Sequence, residues 1–150
     1  LIIAYFSEHV NDLWKTKLNK LLFYSDFLNY RRSGYSISGI AYRAIPFGPV
    51  PAEYDKLYVK LKDDEFANVD LIEFNDGNYG EAISAIKKFE EEAFSKVEIK
   101  TLEDVVKKFA NCNTKQIVGI SHKEKAWIEN EPGHELISYQ KYAFELQAIQ

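Results

Sequence analysis

The stretch LNKLLFYSDFLNYRRS, residues 18–33, decides the fold. Leu18, Leu21, Leu22, Ser25 and Leu28 recur three and four apart, which puts them on one face of a helix, and Gly34 follows where a left-handed cap closes it. Asn11 or Asp12 is expected to cap its start. Phe23, Tyr24, Phe27 and Tyr30 widen the apolar surface well beyond the stripe of a helix lying on one core. The helix is therefore either central or a docking face.

Upstream, Ile2, Phe6 and Val10 stand four apart and predict a first helix. Downstream, Gly34 to Gly39 is loop chemistry, and Ile40 to Ile45 reads as a short strand ended by Pro46. Phe47-Gly48-Pro49-Val50-Pro51 reads as a shaped turn, because both prolines lack an amide hydrogen and restrict the residue before them. Pro51 suits the first position of a helix over 52–62 that carries Tyr54, Leu57, Tyr58 and Leu61 on one face. Val69 to Phe74 is a second strand, expected to pair with the first, and Asn75 to Asn78 is the turn after it.

Ala82, Ile83, Ile86, Phe89, Ala93 and Phe94 then predict a long amphipathic helix. Thr101 with Asp104, and Ser121 with Glu124, have the spacing of capping boxes at two further helix starts, and Lys115 to Ile120 continues the helical pattern between them. Glu131-Pro132-Gly133 is a stop, and Ser138 is positioned to cap a last helix carrying Tyr139, Tyr142 and Leu146. The expectation is one α+β, predominantly helical domain over residues 1–150: six to eight helices with a small two- or three-stranded sheet.

Composition narrows the function classes. A chain of 150 residues buries a sizeable core without staples. One cysteine, Cys112, closes no disulfide within the chain, and three histidines do not furnish a Cys/His zinc cage. No apolar run reaches the length of a membrane span, so the reading is cytoplasmic, with no membrane partner. The chain has no Met and begins at Leu1, which reads as a fragment whose N-terminal neighbour is missing. Net charge is -4, yet residues 11–48 hold six basic side chains (Lys15, Lys17, Lys20, Arg31, Arg32, Arg43) against two acidic ones. A solvated helix face explains them; an acidic partner or a nucleic acid is the alternative.

Phosphate-cradling glycine loops and the nucleophile elbow are absent. Ser121 beside His122 reads as a helix cap, since neighbours in sequence point apart. His122, Glu124 and His134 form the alternative reading, a metal-dependent or histidine-based hydrolase, although their spacing matches no known cage. No cofactor is called for. What stands out is aromatic: 15% of the residues are Phe, Trp or Tyr, and Tyr24, Tyr30, Tyr35, Tyr42, Phe47, Tyr54 and Tyr58 fall in the stretch that holds the Gly-Pro-Val-Pro segment. A tyrosine pairs a rigid ring with a wet hydroxyl, which suits protein interfaces.

Four blocks carry a resemblance: Lys20-Leu21-Leu22-Phe23-Tyr24-Ser25-Asp26, Ser38-Gly39-Ile40-Ala41-Tyr42, Gly48-Pro49-Val50-Pro51, and Ser121-His122 with Trp127. In this order they resemble the Panacea domain, the SocA-like antitoxin and phage-associated protein family. That resemblance implies a non-enzymatic antitoxin module that neutralises a cognate toxin by direct binding, with a ClpXP-type protease as a further partner and DNA contact left to a preceding segment of a transcriptional regulator. The contact residues expected are Tyr24, Asp26, Tyr42, Phe47, Gly48, Pro49, Val50, Pro51, His122 and Trp127.

Overall fold

A computed structural model describes residues 1–150. Seven helices and two hairpins run in the order α1 (Ile2–His9), α2 (Lys15–Ser33), β1 (Tyr42–Ile45), β2 (Gly48–Pro51), α3 (Tyr54–Asp63), β3 (Ala67–Glu73), β4 (Tyr79–Ala85), α4 (Lys96–Phe109), α5 (Thr114–Ser121), α6 (Lys125–Ile128) and α7 (Tyr139–Tyr142). The class is α+β and predominantly helical, as expected.

Helix α2 is the axis. Every residue from Lys17 to Asn29 is buried, so the helix is enclosed on all sides by α1, α4, α5, both hairpins and the C-terminal turns. That resolves the choice its broad apolar surface posed: it is central, and a helix with no polar face must be covered all round. Gly34 closes it with φ 83°, as expected. Its start differs from expectation. Asp12 sits at φ 52° and caps nothing, because the chain there is drawn out to let the Leu13 carbonyl accept from the Ile83 amide at 2.8 Å. Trp14 takes the N-cap position with no side-chain cap.

The sheet prediction is corrected in three places. Gly48–Pro51 is a strand, paired antiparallel with β1 in the register Tyr42↔Pro51, Arg43↔Val50, Ala44↔Pro49. The prolines are tolerated because of that register. The Ala44 amide donates to Glu135 and the Tyr42 carbonyl accepts from Ile137, both away from β2. Pro49 and Pro51 therefore face non-bonded positions of an antiparallel ladder, where no amide hydrogen is needed. Pro51 accordingly ends a strand and does not open α3.

Second, β1 and β3 do not pair; each has its own hairpin partner. Third, residues 82–94 are not a helix. The Asn-Asp-Gly-Asn turn sends the chain back as β4, in register Val69↔Ile83 and Leu71↔Glu81, and only a 3₁₀ turn at Glu91–Ala93 follows. Ile83 is the one buried residue of β4, and the helical spacing of Ala82, Ile83 and Ile86 concealed the extended backbone.

Helix α4 has its N-cap at Ser95, six residues before the expected Thr101. Its capping box is Ser95 with Glu98, whereas Thr101 is buried inside and donates to Asn29 Oδ1 at 3.0 Å. Ser121 caps no helix: its hydroxyl donates to the Val118 carbonyl at 2.7 Å, and α6 begins at the N-cap Glu124. Asn113 with Gln116 forms the box of α5, and Ser138 caps α7 as expected.

Candidate functional site

The residues singled out by sequence are brought together where the β1–β2 hairpin lies on α2 and against α5 and α6. Most of them are inside. Tyr24, Asp26 and Tyr42 are wholly buried, and Gly48 to Pro51 are buried along the strand. These seven of the ten residues are enclosed by the fold, beneath the part of the hairpin that reaches solvent.

Asp26 is the main clamp. Its Oδ1 accepts from the amides of Ile37 and Ser38, each at 2.8 Å, and its Oδ2 from the Ser38 hydroxyl at 2.5 Å and the Tyr42 hydroxyl at 2.6 Å. One carboxylate thus ties the central helix to the loop after it and to β1. Burial nevertheless holds its pKa above the usual carboxylate range, against the downward pull of those donors. The Tyr42 ring meets Phe23 and Phe27 edge-on, and Tyr139 stacks on Phe27 at 4.3 Å and donates to the Ile40 carbonyl.

The hairpin's other side rests on a second polar group. Gly48 has φ 108°, and a Cβ there would stand 2.4 Å from Cε of Lys20 and 2.7 Å from Oγ of Ser121. Only glycine lets the strand lie this close. Lys20 is fully buried, its amine has no hydrogen-bond partner, and burial lowers its pKa to about 7. Tyr24, one helical turn on, stacks on Phe109, and its hydroxyl is likewise unpartnered; burial, and then the Glu124 charge, raise its pKa well above the ordinary value. The buried Glu124 carboxylate itself holds the C-terminal segment, accepting from the amides of Gln147 at 2.8 Å and Ala148 at 3.3 Å.

Trp127 donates from Nε1 to the Ile45 carbonyl at 2.7 Å, and His122 stacks on its ring at 4.0 Å. Arg43 donates to the His134 carbonyl. These contacts fix both ends of the hairpin and leave its two-residue tip, Pro46-Phe47, in solvent. Phe47 is 68% exposed, and among the ten expected contact residues it alone is exposed, with His122 and Trp127 half-buried beside it.

The hydrolase set is not assembled. Glu124 is committed to backbone amides, His122 lies on Trp127, and exposed His134 has only Glu131 near it, at 4.0 Å. No group of three His, Cys, Asp or Glu side chains is placed to share a metal ion.

The basic cluster is also spent internally. Lys15 pairs with Glu81, and Lys17 donates to the carbonyls of Ala110 and Cys112. Arg31 donates to the carbonyls of Leu146 and Ile149, and Arg32 to Asp104 and the Gln150 carbonyl. With Arg43 on His134 and Lys20 buried, all six basic side chains of residues 11–48 are held within the fold. Sequence reasoning missed Lys20 as a core residue. The available signal was its place inside a helix apolar on every side.

A family model described as antitoxin SocA-like, Panacea domain, matches residues 18–128. That span runs from the first fully buried leucine of α2 to the last residue of α6 and contains both hairpins. No curated protein and no solved structure matches the chain.

Proposed function

The chain belongs to the family of SocA-like antitoxins with a Panacea domain, and from that premise we propose that it neutralises a cognate toxin protein by direct binding. The observation that carries the contact surface is Phe47, 68% exposed on a hairpin whose backbone is fixed from both sides. A large ring on a fixed support has apolar area to bury and little conformational freedom to lose, the combination found at interface hot spots. Asp26, Tyr42, Lys20 and the Gly-Pro-Val-Pro strand supply that rigidity. His122 and Trp127 extend the surface beside it. No helix is long and apolar enough to cross a membrane.

Co-expression with the product of the neighbouring open reading frame tests the proposal. Growth restored by the wild-type chain and lost with Phe47→Ala, with the two proteins equally stable, is the expected result. Persisting toxicity with no complex between purified proteins would remove the antitoxin reading. Binding alone accounts for neutralisation in this proposal, in the cytoplasm. Delivery to a ClpXP-type protease is an added step, checked by whether the toxin's half-life shortens only when the protease is present.

A further inference from the structure

The second hairpin carries an open edge. On β4, the Ile83 amide donates to Leu13 and the Ala85 amide to the Ser7 hydroxyl, so those residues turn away from β3. Their register partners Val69 and Ala67 occupy the same non-bonded positions, and the alternation continues through Leu71 and Glu73. Asn68, Asp70 and Ile72 thus make the ladder to β4, while the amides and carbonyls of Val69, Leu71 and Glu73 point outward, where no other part of the fold meets them with a hydrogen bond.

Natural sheets normally blunt such an edge. Here it is left long and set with apolar side chains. Leu71 is 67% exposed and Tyr79 60%, and with Phe74 they wall a groove of about 900 Å³ between this hairpin, the start of α2 and the α4–α5 turn. The groove's lysines, Lys15, Lys17 and Lys115, come from α2 and α5, whereas the charge of the hairpin has one sign. Residues 63–81 contain seven acidic side chains and no Lys or Arg, and only two of the seven are paired, Asp64 with Lys60 and Glu81 with Lys15. A second copy of this chain paired about Asp70, or about Glu73, would set that carboxylate against its own like charge, which disfavours those registers.

We propose that the outer edge of β3, from Val69 to Glu73, is a docking site for an extended basic segment of a partner polypeptide, which adds to the hairpin as a third strand. Main-chain hydrogen bonds hold the added strand, Leu71 receives its apolar side chains on one face of the strand, and Asp70 selects Lys or Arg on the other. As the surface of a toxin it rests on the antitoxin reading, but the edge is tested without a toxin.

The probe is a synthetic ten-residue peptide of alternating Lys and Val, with a Glu-Val repeat as control, added to the full chain while amide hydrogen exchange is followed by NMR. The Lys-Val peptide is expected to slow exchange at Val69, Leu71 and Glu73 at least tenfold and the Glu-Val peptide to leave it unchanged. Leu71→Pro should abolish peptide binding and keep the fold, because that amide makes no bond to β4. Should this variant melt early, Asp70→Lys with Glu73→Lys serves in its place and should reverse the preference between the two peptides. No protection at these amides, or binding indifferent to both variants, would overturn the proposal. Neutralisation through another surface would survive that outcome, whereas a failed growth test withdraws the toxin and leaves the edge.

Discussion

Replacing Asp26 by alanine removes the acceptor of four donors at once, and the cost can be worked out donor by donor. The Tyr42 hydroxyl is fully buried, so it is left with no partner and no water, at about 1–3 kcal/mol. The two amides and the Ser38 hydroxyl sit on a loop that water reaches, and lose only the advantage of bonding to a charge, about 1 kcal/mol each. Removing the carboxylate also relieves its own burial cost, which is real, since burial holds its pKa up. The net loss is about 3–5 kcal/mol, the range seen when one partner of a buried polar network is deleted. At about 2–4 °C per kcal/mol for a chain of this size, Tm falls by about 6–20 °C. Urea unfolding followed by far-UV circular dichroism measures it. Tyr42→Phe supplies the internal check: about 1–2 kcal/mol in the wild-type background, and nothing or a small gain beside Asp26→Ala, where the hydroxyl is already orphaned. A loss under about 1 kcal/mol for Asp26→Ala, or an equal effect of Tyr42→Phe in both backgrounds, would refute the clamp.

Lys20→Met is expected to stabilise the domain at pH 7 and to flatten its pH dependence. The folded amine releases its proton near pH 7 and the unfolded one near 10.4, so between those values the unfolded state binds more protons and wild-type stability rises with pH, by up to about 1.4 kcal/mol per unit. Urea melts of both proteins from pH 6 to 9 show whether the slope exists and whether it vanishes in the variant. Gly48→Ala forces a Cβ to within 2.4 Å of the Lys20 side chain at φ 108° and should cost about 2 kcal/mol or more, part of it recovered by shortening Lys20. Ser95→Ala should lower thermal stability by about 1 kcal/mol through the lost cap of α4, whereas Asp12→Ala, at a position that caps nothing, should cost less.

The central helix, its closure at Gly34, the turn at residues 75–78 and the cap at Ser138 were legible because each is set by local spacing or local hydrogen bonding. The misreadings share a cause in partners distant in sequence. Pro49 and Pro51 look like strand breakers until the register shows that neither faces a ladder position. Ile83 looks helical until Leu13, 70 residues earlier, takes its amide hydrogen and holds the segment extended. At the candidate site the sequence blocks do converge, but most of the aromatic and polar groups that drew notice as contact residues are framework. A tyrosine that serves an interface and one that hydrogen-bonds a buried aspartate carry the same letter. Phe47 is separated from them only by the hairpin that lifts it into water.

The most direct test of the account is the affinity of the purified chain for the purified product of the neighbouring gene, measured by titration calorimetry beside the Phe47→Ala variant. Tight one-to-one binding by the wild type, weakened at least tenfold by Phe47→Ala with Tm unchanged, is the predicted result. No measurable heat of binding for the wild type would contradict it.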